Sequence, residues 1–204
     1  MKKFLLLAIV MVFASGAFAQ MSSGGFALDH SRVYYGVRIG ASFSNLDFYK
    51  VDLNTKVGLT LAAIVGLRVS DSVPVFLESG FYYNGRGARK KDLKVNLNYL
   101  ELPILIKYGI RVSDPVTIIP FVGPYFGIAV SGKASGKFGE LEVDGSPFID
   151  GGIKRGDMGF KFGAGVEYNM LYLELGYQIG VADIGKNPNE TRTNSFFANF
   201  GVNF

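Results

Sequence analysis

Eight charged residues fall within the alternating stretches of this chain: Arg38, Arg68, Glu78, Glu101, Lys107, Lys161, Glu167 and Glu174. Glu167 and Glu174 lie seven positions apart across a short polar break, and two carboxylates brought together are the minimal equipment for acid–base work. The competing reading is that they are packing charges inside a polar interior, and that reading carries more weight. His30 is the single histidine. A Ser-His-acid hydrolase would need it beside a serine on the folded scaffold, yet it falls in a small, polar leading segment. Gly127 to Lys133 nearly spells a phosphate-binding loop, but Ala134 stands where Ser or Thr is required and no helix follows. The acidic residues between Gly132 and Asp157 match no calcium-loop spacing. A basic run, Arg86, Arg89, Lys90, Lys91 and Lys94, could grip the phosphates of lipopolysaccharide or another acidic ligand. No set of residues is assigned to catalysis, a cofactor or a metal.

The elements that must position these charges show in the alternation of residue types. The last stretch, Ser195 to Phe204, puts Phe196, Ala198, Phe200, Val202 and Phe204 on one face. Strict alternation of this length is a two-faced strand. A final strand ending on an aromatic, with Phe200, Val202 and Phe204 in phase, looks like the closing strand and insertion signal of a bacterial outer-membrane barrel, recognised by the barrel-insertion machinery. The same alternation predicts strands over 33–45, 57–69, 75–84, 95–110, 117–131, 158–168 and 172–184, which makes eight with the last. The connections alternate long and short. The long ones include a basic loop, Gly85 to Lys94, and a Gly-rich loop, Gly132 to Asp157. Outer-membrane barrels have long loops outside and short turns in the periplasm, so the N-terminus is expected on the periplasmic side. Pro120 and Pro124 predict a bulge or a late start to pairing in the fifth strand, because proline donates nothing to a ladder.

The chemistry of the two faces decides what each meets. The bulky aliphatic and aromatic residues share one face. The other carries glycines and the eight charges, four of each sign. A soluble barrel cannot keep charges in its core and leucines in water, and the lipocalin Gly-x-Trp signature is impossible in a chain without Trp. Lipid outside and a polar lumen inside fits. In an eight-stranded barrel that lumen is filled by side chains, and buried charges must pair. Glu167 and Glu174 should nearly face each other, with Arg38, Arg68 or a lysine reaching between them. Arg68 and Glu78 should be diagonal neighbours.

The N-terminus opens Met1-Lys2-Lys3, continues apolar from Phe4 to Phe13, and reaches Ala17-Phe18-Ala19. This has the form of a secretory signal peptide over residues 1–19, followed by a flexible lead over 20–32 and the barrel over 33–204. No Cys follows, which excludes a lipoprotein anchor and disulfides alike. Removing Lys2 and Lys3 takes 21 basic residues to 19 against 17 acidic ones, a net of +2, which is no nucleic-acid footprint. No further apolar run is long enough for a membrane helix, so spanning requires a closed barrel.

Tyr99-Leu-Glu-Leu-Pro-Ile-Leu-Ile-Lys-Tyr108 resembles a strand of the PorT-like outer-membrane β-barrel family of Bacteroidota. Pro120-Phe-Val-Gly-Pro-Tyr-Phe-Gly127 and Phe162-Gly-Ala-Gly-Val-Glu-Tyr168 look like that family's fifth and sixth strands. The resemblance implies a small barrel in a Gram-negative outer membrane, partnered by membrane lipid and lipopolysaccharide, and no catalytic residue. The family's name-giving member serves a protein secretion system. A non-enzymatic structural or surface-interaction barrel is therefore the leading expectation. A subunit of a secretion or envelope assembly is the runner-up, and a narrow passive channel follows.

Overall fold

The computed structural model describes residues 32–48, 54–90, 93–138, 141–148, 154–185 and 191–204. The expected signal peptide, most of the lead and His30 lie outside these residues. The described chain forms ten strands: β1 (Val33–Phe48), β2 (Asn54–Arg68), β3 (Val75–Lys90), β4 (Leu93–Tyr108), β5 (Ile110–Ser113), β6 (Val116–Phe138), β7 (Leu141–Gly145), β8 (Gly156–Tyr168), β9 (Leu171–Gly180) and β10 (Thr191–Asn203). Eight of them run in the order β4-β3-β2-β1-β10-β9-β8-β6, and antiparallel pairing of β4 with β6 closes the ring. The two short strands, β5 and β7, pair with β6. Closure leaves every stave with two neighbours, which is what backbone groups facing hydrocarbon require.

Three tight connections mark one end, at 69–74, 114–115 and 169–170. At the last of these Asn169 has a φ of 56°, a left-handed conformation that a short polar side chain tolerates. Both ends of the barrel chain meet at this turn end, where Tyr35 and Phe204 exchange backbone bonds of 2.8 and 2.9 Å.

The opposite end differs from the expected long loops. The supposed basic loop is the top of a β3–β4 hairpin whose strands are separated only by residues 91–92, with Lys90 opposite Leu93. The supposed Gly-rich loop is largely β6, running on to Phe138, and its partner β7. Strands continue past the apolar belt because ladder bonds do not depend on what the side chains face. Alternation between lipid and lumen disappears there, and with it the sequence signal. No bulge falls at Pro120 or Pro124, although the β4–β6 ladder skips Pro124 and Gly123 between Pro103↔Tyr125 and Ile106↔Val122. Pairing of β6 with β8 runs without a register shift from Val116 to Ile128. The bulges fall instead at Asn98/Tyr99 between β4 and β6, at Arg111/Ser113 between β5 and β6, and between Thr55 and Thr60 of β2.

The outward face is a continuous apolar belt, with Ile39, Leu61, Phe81, Ile106, Val122, Phe162, Leu175 and Phe200 among its exposed members. The inward face is dense. Aromatic rings lie on glycines of neighbouring strands: a Cβ on Gly66 would run into the Tyr34 ring, and one on Gly176 into the Phe197 ring. This explains why the lumenal face is so rich in glycine, since large inward residues need small neighbours.

Face assignment makes a direct prediction. Leu175 lies between Ala164 and Ala198 in the middle of the belt. Leu175→Arg should cost about 2–4 kcal/mol of stability, as arginine does at the midplane of a barrel's lipid face, whereas Thr55→Arg near a strand end should cost roughly 0–1 kcal/mol. Urea unfolding from lipid vesicles measures both.

Candidate functional site

The lumen gathers nearly all the buried charge, and it does so in two clusters. The one nearer the turn end centres on Glu78 of β3. Lys107 Nζ of β4 lies 2.8 Å from its Oε1, Arg38 Nη2 of β1 lies 3.7 Å from its Oε2, and the Tyr34 hydroxyl donates to Oε2 at 2.7 Å. Lys107 also reaches Glu174 of β9 at 3.7 Å and the Tyr172 hydroxyl at 3.0 Å. Arg38 lies over the Tyr172 ring, 4.3 Å from its centroid. It donates to Asn203 Oδ1 at 2.5 Å, and the Asn203 amide donates to Glu167 at 2.5 Å.

The second cluster closes the loop end. Arg86 of β3 pairs with Glu101 of β4, and with Asp157 of β8 at 2.7 Å. Lys161 of β8 lies 2.7 Å from the other Glu101 oxygen. Asp157 Oδ2 also accepts from the Tyr125 and Thr193 hydroxyls at 3.0 and 2.8 Å. Arg86 sits near the rings of Tyr99 and Tyr125, 5.0 and 5.3 Å from their centroids.

Backbone geometry delivers Arg86 to this place. At the β2 bulge the top of β3 bonds to side chains of β1, one strand beyond its neighbour, and to Lys56 of β2. Ser42 Oγ donates to the Gly85 carbonyl at 2.5 Å, Ser44 Oγ to Gly87 O at 3.0 Å, and Lys56 Nζ to Arg86 O at 2.9 Å. Gly87 has a φ of 149°, and a Cβ there would run into the Val95 carbonyl, so the bend requires glycine. Above the cluster Leu97, Tyr99, Ala129 and Ile184 form a buried apolar cap with Phe148 against it. Between the clusters, a void of about 10 Å³ is lined by Ser42, Tyr82, Asn84, Lys161, Gln178, Ser195, Phe197 and Asn199. That is room for about one water molecule.

Seven of the eight expected lumenal charges are buried here: Arg38, Glu78, Glu101, Lys107, Lys161, Glu167 and Glu174. Arg68 is not among them. It is diagonal to Glu78 in register, as the strand pattern implied, but it donates to the carbonyls of Ser70 and Asp71 at 2.9 and 3.3 Å. These bonds brace the turn that follows β2. Arg86, expected in a solvated loop, is 1% exposed inside the barrel. With Asp157 added, the buried lumenal residues comprise four cations (Arg38, Arg86, Lys107, Lys161) and five acids, rather than the four and four expected. The expected Glu167–Glu174 confrontation is replaced as well. The two-residue turn sets Glu167 opposite Tyr172 and Glu174 opposite Gly165. Lys107 and the Asn199 amide serve Glu174, while Asn203 serves Glu167.

Both additions were within reach of a parity argument. Arg86 continues the inward phase of Glu78, Gly80, Tyr82 and Asn84, and Asp157 that of Gly159 and Lys161. Of the other basic residues, Arg89 lies opposite Lys94 in the hairpin register, Lys90 is the last residue of β3, and Lys91 lies outside the described residues. Phe200 and Val202 lie opposite Ile39 and Val37 on the outward face of β10, close to Phe204 at the turn end. Chemically, the lumen offers carboxylates engaged by cations, amides and hydroxyls. Among the described residues no group of three or more His, Cys, Asp or Glu is placed to hold a metal.

Known proteins share this fold. Ail, the attachment invasion locus protein of Yersinia pestis, is similar with a TM-score of 0.50 and 13% identity, over 85% of this chain and 100% of that one. A major outer membrane protein from Thermus thermophilus is similar with a TM-score of 0.51 and 13% identity, over 85% and 100%. At such identities the likeness concerns the fold. No curated protein matches the sequence. The family profile described as outer membrane protein beta-barrel domain matches residues 18–185. With that match over most of the chain, and a closed eight-stranded ring around a charged lumen, the chain belongs to the outer membrane protein β-barrel domain family.

Proposed function

We propose that this chain is a non-enzymatic outer-membrane barrel that acts at its loop end, in a structural or surface-interaction role. The turn end and the N-terminus face the periplasm, residues 1–19 are removed as a signal peptide, and Phe200, Val202 and Phe204 serve insertion. The observation that carries this reading is the closed lumen: two ion-pair clusters and an apolar cap fill it, leaving about 10 Å³. A barrel so filled has little to offer along its axis. What remains for interaction is the set of strands projecting past the belt.

The sequence across the β3–β4 connection carries Arg89, Lys90, Lys91 and Lys94, which suits phosphate groups of lipopolysaccharide or another acidic surface. Changing all four to Gln should weaken binding to lipopolysaccharide-bearing vesicles by up to roughly a thousandfold, given about 1 kcal/mol per basic residue at an anionic surface. Heat-modifiable gel mobility, the sign of a folded barrel, should stay unchanged. Unaltered vesicle binding would remove the tip from the proposal. The wider reading is tested by the mass of the protein extracted from outer membranes in mild detergent. A single polypeptide in its micelle is expected. A larger reproducible complex would favour a subunit of a secretion or envelope assembly.

A further inference from the structure

Three buried polar atoms of the lumen have no hydrogen-bond partner among the described residues and belong to side chains that line one void. They are the Tyr82 hydroxyl of β3, Nε2 of Gln178 on β9 and Oδ1 of Asn199 on β10. All three residues are 2% exposed. Buried polar groups are ordinarily paired, and one left bare loses its hydration without return. The orientation of Asn199 is fixed by its other end. Its amide donates to Glu174 at 2.8 Å, which leaves the carbonyl for a different donor.

The void spans the ring. β9 stands four staves from β3 in either direction, by β2, β1 and β10 or by β4, β6 and β8, so Tyr82 and Gln178 approach it from opposite walls. Lys161 of β8 lines it too. Its ammonium carries three protons and pairs with Glu101 at 2.7 Å. Size and chemistry together define the occupant. A volume of about 10 Å³ suits a single water-sized group. That group must accept from the Gln178 amide and donate to the Asn199 carbonyl. A halide only accepts. A metal cation would lie beside the Lys161 ammonium and offer nothing to the Gln178 amide.

We infer that this void is the binding site of one resident water molecule, which accepts from Gln178 Nε2, donates to Asn199 Oδ1 and bonds to the Tyr82 hydroxyl. The water braces opposite walls of the barrel at the level that the two ion-pair clusters leave open. It belongs to the closed lumen and starts no file of water along the axis, because the void has no room for a second molecule.

The test uses the full mature chain, folded in detergent and crystallised once from chloride and once from bromide, at a resolution that shows ordered water. Both crystals should show one density peak in the void, within hydrogen-bond distance of the three atoms and without anomalous signal at the bromine edge. An anomalous peak would make the void an anion site, and an empty void would leave the three atoms bare; either result overturns the inference. Ser195→Thr adds a methyl group to the wall of the void. Expelling the water should lower the folding equilibrium constant, read by urea unfolding, about tenfold, as the loss of a buried polar group's partner does. In a dry void the same methyl group would fill a cavity, so an unchanged or raised constant would also overturn the inference. If the variant does not fold, the two wild-type crystals decide alone.

Discussion

Arg86→Ala is expected to destabilise the barrel by about 3–5 kcal/mol, the cost of removing one partner from a buried ion pair. The penalty should fall unevenly. Glu101 keeps Lys161 at 2.7 Å and the Asn84 amide at 2.7 Å. Among the described residues, Asp157 keeps the Tyr125 and Thr193 hydroxyls, and no cation replaces Arg86. The prediction is therefore specific: Arg86→Ala with Asp157→Asn should recover most of the loss, while Arg86→Ala with Glu101→Gln should recover little. Arg86→Lys should recover part at most, because one ammonium cannot reproduce the fork that serves Glu101, Asp157 and Thr193 together. Urea unfolding from lipid vesicles, followed by gel mobility, ranks the four variants. An Arg86→Ala protein within about 0.5 kcal/mol of wild type would place this arginine in solvent, since surface substitutions cost no more than that.

That result would restore the sequence-based assignment of Arg86, and the contrast shows where residue patterns inform and where they stop. Within the belt, each strand reports its own two faces. Leu173, Leu175 and Tyr177 against Glu174, Gly176 and Gln178 needs no tertiary information to read. The strand count, the polar lumen and seven of the eight lumenal charges follow from that alternation alone. Beyond the belt both faces turn polar or small, as in Gly85-Arg86-Gly87-Ala88, and a strand looks like a loop. Pairing across the lumen is illegible for a different reason. Lys107 meets Glu78 on the neighbouring strand β3 but Glu174 on β9, a distance around the ring set by the stagger of all eight strands. No local pattern encodes that stagger. The Glu167–Glu174 expectation failed for a smaller cause of the same kind: the turn at 169–170 offsets the two carboxylates along the hairpin and sets Tyr172, not Glu174, opposite Glu167.

Lys107 is the second residue whose loss should be costly. It lies beside three groups from two strands, Glu78 of β3 and Glu174 and Tyr172 of β9, and its ammonium sits 4.7 Å from the Tyr172 centroid and 5.2 Å from that of Phe121. Lys107→Met keeps the length of the side chain and its apolar contacts but removes the charge. Glu78 retains Arg38 and the Tyr34 hydroxyl. Among the described residues, Glu174 retains the Asn199 amide and no ion pair. The expected cost is again about 3–5 kcal/mol, and Glu174→Gln in the same chain should return most of it, whereas Glu78→Gln should not. The two charged clusters share no ion-pair partner among the described residues. Arg86→Ala and Lys107→Met should therefore add to within about 0.5 kcal/mol in the double variant, as independent sites do. Additivity would mean that the lumen is closed twice, by separate latches. A coupling well above that figure would mean that one cluster holds the other in place.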